Sequence, residues 1–371
     1  MALKNVIDPV LAGPQLERWF AGCHPERSDV RVTNIDIPSA NGMSSETILF
    51  DLTWARHGKR HQQALVARVA PTANGLLPSY DLAHEQRVLA AVRASTAVPV
   101  PAPYAVEPDS AVLGGPFLIM DRLSGRVPAD DPPFTAAGWV IELSRSAQAT
   151  MYDNALVAMA AISATDISGF GSDVVGNPLS GAGSIAQHLD HYQRLYAWTA
   201  SGRDHPVLDS GLAWVHANLP GSEAPAVLSW GDARLGNMMF GEDLTVTGVL
   251  DWEMATIGEA ELDLAWFLFL NRVYTDGMGL AAPAGFPTRE QSIARYEELL
   301  GRPLVNFAFH EVFAAVRATI MMMRIGTMMV DAGLLPEDAA MPVTNPASLQ
   351  LAELLGLAKP SEQSAWITGN R

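Results

Sequence analysis

A single cysteine, Cys23, stands among 371 residues, which excludes an internal disulfide and a multi-thiolate metal site and fits a reducing compartment. Positive charge is scarce too, with 24 Lys and Arg against 40 Asp and Glu and a formal charge of -16. That balance argues against nucleic-acid binding through overall electrostatics and is compatible with a cationic small substrate. Charged residues make up only 17% of the chain and apolar ones 49%, a composition for burying surface rather than for disorder. Uninterrupted apolar runs are short. Asp8 breaks the N-terminus before any apolar core, and Arg317 and Arg324 break the methionine-rich stretch near Met321, so neither a secretory signal nor a membrane span is expected. The expectation is a cytoplasmic chain with no nucleic-acid or membrane partner, its oligomeric state undetermined. No internal repeat or low-complexity run is present.

The length exceeds what one simple core takes, which favours two lobes. Val10 to Cys23 has the spacing of a short amphipathic helix. Val30 to Ile37, Glu46 to Ala55 and Gln63 to Ala70 alternate as strands, with SANGMSS and RHGKRH as punctuation. Taken alone, Asn41-Gly42-Met43-Ser44-Ser45 is a hairpin turn; at the end of a sheet, its backbone N–H groups and the Ser44 and Ser45 hydroxyls are also suited to phosphate oxygens. Arg68 is a lone cation in the strand ALVARVAP, either facing water by alternation or serving as a fixed cation for phosphates. Glu85 lies on the polar side of the helical stretch Asp81 to Arg93, where it can orient such a cation. A Pro-stiffened connection and the strand FLIM lead to a bend at Ser124-Gly125. The lobe boundary is set there, giving residues 1–123 and 124–371.

Beyond Pro128 the pattern turns helical, with Glu142 to Ser163, Ser184 to Ser201 and Val207 to Leu219 as helices. Gly181 to Ala186, GAGSIA, matches a dinucleotide-type glycine pattern but lacks a preceding strand, so Ser184 is read as a helix cap. His188, Asp190 and His191 lack a third well-placed metal ligand. Tyr192, Tyr196 and Trp198 are read as core ahead of a substrate platform or a lid helix, and Met321, Met322, Met323, Met328 and Met329 as core gap fillers, with an adaptable face toward a substrate pocket as the alternative.

The chemistry concentrates in Ser229 to Arg272, SWGDARLGNMMFGEDLTVTGVLDWEMATIGEAELDLAWFLFLNR. A brief strand delivers Asp232 into a glycine-containing loop, and Asn237 follows five residues later at the start of a second strand. A turn leads to a third strand that ends on Asp251. Antiparallel pairing of those two strands brings an amide oxygen and a carboxylate to one point. Magnesium prefers such hard oxygen ligands, and Asp232, left in the loop, can accept the proton of an attacking hydroxyl. Arg234 either neutralises a transferring phosphate or braces Asp232, and bracing is favoured. Glu253 either faces the metal or forms a salt bridge.

The combination of D-x-x-x-x-N, a hairpin-length gap, D-W-E and an E-L-D-L-A-W helix start resembles the aminoglycoside phosphotransferase and choline kinase superfamily, and within it the branch that includes the kinase domain fused to some acyl-CoA dehydrogenases. The resemblance implies a bilobal, protein-kinase-like α+β fold, with a small antiparallel-sheet lobe and a larger helical one. It implies Asp232 as catalytic residue, Asn237 and Asp251 as magnesium ligands, and Asp263 as a structural brace. Arg68 with Glu85 would hold the α- and β-phosphates, the backbone of Asp121 and Leu123 would meet the adenine edge, and Asn41 to Ser45 would cover the phosphates. The cofactors implied are Mg2+ and ATP or GTP, and the partner is a small hydroxyl-bearing molecule. A nucleotide-binding regulatory protein without transfer is the alternative. Trp230 stands where the family commonly has histidine, Arg68 where the antibiotic kinases have lysine, and Ser163 where related helices often end in Leu-His.

Overall fold

The computed structural model describes residues 7–38, 45–168, 170, 184–200, 202–221 and 224–358. They divide into two compact units, residues 1–90 with 100–123, and residues 91–99 with 124–371. The first is built on five antiparallel strands in the order β1-β2-β3-β5-β4, namely β1 (Ser28–Asp36), β2 (Glu46–Arg56), β3 (Lys59–Val69), β4 (Pro103–Glu107) and β5 (Phe117–Asp121). Alternation puts Ile48, Phe50 and Leu52 of β2, and Leu65, Ala67 and Val69 of β3, into the core. Helix α1 (Pro9–Cys23) adds Leu16 and Phe20 to the same cluster. Asp8 caps it, accepting from the Val10 N–H at 2.8 Å, and Pro9 fits the first helical position because it has no N–H to leave unpaired.

The break between strands falls inside RHGKRH and is narrower than that stretch. β2 runs to Arg56 and β3 starts at Lys59, paired with each other across a two-residue turn. Both turn residues have positive φ, 50° at His57 and 72° at Gly58, the geometry that matches the twist of a tight hairpin. Helix α2 (Leu82–Ser95) carries Glu85 in its first turn.

The second unit is mainly helical: α3 (Trp139–Glu142), α4 (Arg145–Ser163), α5 (Ile185–Thr199), α6 (Pro206–Ala217), α7 (Ala260–Tyr274), α8 (Arg289–Leu300), α9 (Phe307–Asp331) and α10 (Pro346–Leu354). The helix expected from Glu142 breaks after it, because Leu143 is extended and Ser144 begins a new helix by accepting from the Ala147 N–H. Ser184 caps α5 in a reciprocal box with Gln187, while the glycines of GAGSIA lie outside the described residues. Helix α9 is long and apolar enough to cross a membrane by length and composition, yet 72% of its most apolar window is buried inside the protein. Met321, Met323 and Met328 belong to that buried face. Two small ladders organise the loops of the site. β6 (Val227–Ser229) pairs with β9 (Thr256–Gly258), and β7 (Met238–Phe240) with β8 (Val246–Val249).

Candidate active site

The loop after β6 is fixed from its backbone outward. Asp263, in the first turn of α7, accepts the Trp230 N–H at 2.7 Å, the Gly231 N–H at 2.9 Å and the Ser229 hydroxyl at 2.8 Å. Burial raises the Asp263 carboxyl above its ordinary range, against the pull of those donors and of Arg317. Gly231 has φ +91°, and a Cβ there would stand 2.2 Å from the Met254 carbonyl oxygen, so only glycine fits the turn. From the other side Arg317 of α9 donates to the Gly231 carbonyl at 3.1 Å, its guanidinium lying 4.6 Å from the Trp266 ring centre and 5.0 Å from that of Tyr192. Such stacking suits a buried arginine, whose flat cation is weakly hydrated.

On this frame Asp232 is held by three donors. The Trp266 indole N–H reaches its Oδ1 at 2.8 Å, while the Asn237 amide (2.7 Å) and Arg234 Nε (3.0 Å) reach its Oδ2. A carboxylate has about four lone-pair sites, so among the described residues one on Oδ1 is left without a donor. Arg234 also donates through Nη1 to Asp130 at 2.5 Å. Burial would lower its pKa, but Asp130 and Asp232 outweigh that and hold it well above the ordinary value.

Asn237 closes a single 3-10 turn before β7. Since its amide nitrogen is committed to Asp232, its amide oxygen is the group that can take a cation. Its backbone carbonyl accepts the Leu250 N–H at 2.9 Å, which brings Asp251 alongside. Asp251 has φ 60°, a left-handed conformation uncommon for a residue with a side chain and often found where geometry serves a site. Trp230 completes the link, donating its indole N–H to the carbonyls of Leu250 (2.9 Å) and Asp251 (3.2 Å) from a fully buried position. Asn237 and Asp251 thus offer an amide and a carboxylate oxygen, hard donors that fit magnesium. Among the described residues no group of three or more His, Cys, Asp or Glu could hold a metal.

Within the first unit Arg68 and Glu85 form a buried pair, Nη1 to Oε1 at 2.6 Å, and Arg68 Nε donates to the Ser45 hydroxyl at 2.8 Å. Arg68 therefore does not face water. The Asp121 N–H is committed to the Ala102 carbonyl at 2.9 Å and its carboxylate accepts from Gln63 at 2.7 Å; Leu123 follows two residues beyond. Asn41 and Ser44 lie outside the described residues.

Three partners of the loop, Asp130, Trp266 and Arg317, and Tyr274, whose hydroxyl donates to Asp130 at 2.9 Å, escaped the sequence reading. Asp130 and Tyr274 are far from Asp232 in the chain, Trp266 reads as one more apolar helix residue, and Arg317 reads only as a break in a methionine run. The signal that could have found Trp266 and Tyr274 is their helical spacing from Asp263. The opposite error concerns Trp198, expected in the core but 42% exposed, with Arg324 at 4.6 Å from its ring centre. His188 contacts the Ile257 carbonyl at 3.2 Å and Asp190 pairs with Arg194 one turn on.

An antiparallel sheet with one main helix, and a helical unit carrying this loop and short hairpin, define a phosphotransferase fold of the protein-kinase type. Residues 49–298 match the phosphotransferase enzyme family, and the chain belongs to that family. It is 28% identical to acyl-CoA dehydrogenase family member 11 of Rattus norvegicus over 245 residues, covering 64% of this chain and 30% of the relative. Family member 10 of Mus musculus is 25% identical over 262 residues, covering 68% and 23% respectively. The matches span less than a third of the length of these curated relatives. Among solved structures, a Ralstonia eutropha protein described as an aminoglycoside phosphotransferase superposes with a TM-score of 0.64 at 23% identity, covering 94% of this chain and 99% of that one. Macrolide 2'-phosphotransferase MphH from Brachybacterium faecium gives 0.53 at 17%, covering 94% and 99%. These likenesses establish the fold.

Proposed function

We propose that the chain is an ATP- and magnesium-dependent phosphotransferase that moves the γ-phosphate to a hydroxyl of a small molecule. The observation that carries this reading is the fixed Asp232 carboxylate with one open lone-pair site among the described residues, held by the same asparagine whose backbone carbonyl accepts the Leu250 N–H next to Asp251. The acceptor hydroxyl docks on Oδ1 and gives its proton to Asp232 as its oxygen bonds to the γ-phosphorus. The bond to the bridging oxygen breaks, and ADP leaves with that electron pair. Arg234, tied to both Asp130 and Asp232, braces the base. Arg68, oriented by Glu85, holds the α- and β-phosphates. Asn237 and Asp251 would hold magnesium, which when bound neutralises charge on the β- and γ-phosphates.

The family match and the likeness to a structure described as a ternary complex with AMP-PNP and hygromycin B (TM-score 0.55, 15% identity) support nucleotide use. Another neighbour is described as a GDP complex of an aminoglycoside 2'-phosphotransferase, so ATP and GTP are compared as donors. The test is phosphate incorporation from labelled nucleotide into a panel of aminoglycosides, choline-like cations and apolar alcohols. At least one acceptor should be labelled by the full chain and not by Asp232→Asn. Nucleotide binding with no transfer or hydrolysis would instead favour a regulatory protein.

A further inference from the structure

That mechanism uses a second carboxylate beside the loop, Asp130, only as a tie on Arg234. Asp130 lies in a tight turn, where the Phe134 N–H donates to the Ala129 carbonyl at 2.8 Å. One oxygen of Asp130 accepts Arg234 Nη1 at 2.5 Å and the other accepts the Tyr274 hydroxyl at 2.9 Å. Because the same guanidinium gives its Nε to Asp232, Arg234 is strung between two carboxylates. The Asp130 side chain is 41% exposed and that of Arg234 17%, so Asp130 is no core prop and its replacement opens no cavity.

The anchoring is built to one purpose. Asp263, Trp266 and Tyr274 share a face of α7 by helical spacing and hold, in turn, the loop backbone, the Asp232 carboxylate and Asp130. Tyr274 is itself held, since its carbonyl accepts the Thr135 hydroxyl at 2.5 Å and its ring lies 5.6 Å from that of Phe134. Burial and Asp130 raise the Tyr274 pKa well above its ordinary value, keeping the hydroxyl a donor. The loop also closes onto the pair, for a Cβ on Gly236 would stand 2.4 Å from Arg234 Nη1 and 2.6 Å from Asp130 Oδ1.

We propose that Asp130, anchored by Tyr274, is a positioning residue that sets the Asp232 carboxylate for phosphoryl transfer by tethering the far end of Arg234. The proposal rests on the reading of Asp232 as the base. Arginine has a long flexible stem, and its fork holds a partner in one place only when a second nitrogen is also fixed. Released from Asp130, the fork either swings toward solvent or turns a second N–H onto Asp232, where it covers the lone pair the acceptor hydroxyl needs. Either movement slows transfer and spares nucleotide binding.

The test uses the full chain with Mg-ATP hydrolysis as the readout in Asp130→Asn, Arg234→Gln, the double variant and Asp232→Asn. Turnover of Asp130→Asn should fall by about 10- to 100-fold, as for supporting residues that let a reactive group shift by about 1 Å, with the nucleotide dissociation constant unchanged. The double variant should be no slower than Arg234→Gln alone, because both changes act through one guanidinium. Asp130→Glu, which keeps the charge, should recover part of the loss. A readout independent of turnover is the Arg234 Nε–Hε cross-peak in NMR, identified by its absence from Arg234→Gln; it should shift or broaden in Asp130→Asn. Losses that multiply in the double variant, or a cross-peak that does not move, overturn the proposal. Wild-type turnover in Asp232→Asn would instead remove Asp232 as the base, while the cross-peak still decides whether Asp130 holds Arg234.

Discussion

Replacing Asp263 by alanine isolates what holds the Asp232 loop. The change removes the acceptor of two backbone N–H groups and one hydroxyl, at 2.7, 2.9 and 2.8 Å, in a place where Ser229, Trp230 and Asp263 are at most 1% exposed. The Ser229 hydroxyl can rotate to another acceptor. The Trp230 and Gly231 N–H groups cannot, because β6 and the positive φ of Gly231 fix their directions. Two orphaned buried donors at about 1–3 kcal/mol each give about 2–6 kcal/mol, partly offset by no longer burying a carboxylate. A net loss of about 3 kcal/mol corresponds to about 6–12 °C in the unfolding midpoint for a unit of this size, and loop displacement adds about 100-fold in turnover. Asp263→Asn should fall between, since one oxygen can still serve two donors while its amide meets the Trp230 N–H. Calorimetry of the full chain with turnover on the same samples checks both. A midpoint within about 2 °C of wild type, with turnover intact, would refute the bracing role.

Glu261 is fully buried and accepts Arg302 at 2.6 and 3.1 Å and the Val305 N–H at 2.8 Å. Burial pushes its carboxyl up, but those donors win and leave it below its ordinary value of 4.5. Its stabilisation is therefore complete above that value and is lost as pH falls through the folded-state pKa. Glu261→Gln should cost about 3 kcal/mol at neutral pH, and the gap to wild type in urea unfolding should close in acid. Glu85→Gln leaves Arg68 without its charged partner in a buried pair, so nucleotide affinity should weaken about tenfold in a fluorescence titration, with stability also reduced. Asp251→Ala should weaken nucleotide binding in magnesium and not in EDTA, as read by calorimetric titration.

The three-residue spacing of the site was legible because it depends on local pairing. Once β7 and β8 form a hairpin, Met238 lies opposite Val249, and Asn237 and Asp251 must be neighbours. The α+β fold was legible from alternation in β1 to β3 and helical periodicity after Pro128. Asp130 was not, since nothing in its turn tells that α7 will present Tyr274 to it. The ends of β2 and β3 were missed because Arg56, Lys59 and Arg60 are polar on both faces of an exposed hairpin tip, where burial leaves no alternation to read. Trp198 misled for the converse reason: an aromatic side chain in a helix suggested a core residue, and it lies 42% exposed beside Arg324 instead.

The central claim is that Asp232 is the base of a magnesium-dependent phosphoryl transfer. It is tested most directly by measuring γ-phosphate release from Mg-ATP by wild type and Asp232→Asn alongside nucleotide affinity. The expected result is slow hydrolysis in wild type, lost by at least about 100-fold in the variant, with affinity unchanged. Equal rates in the two proteins would contradict it.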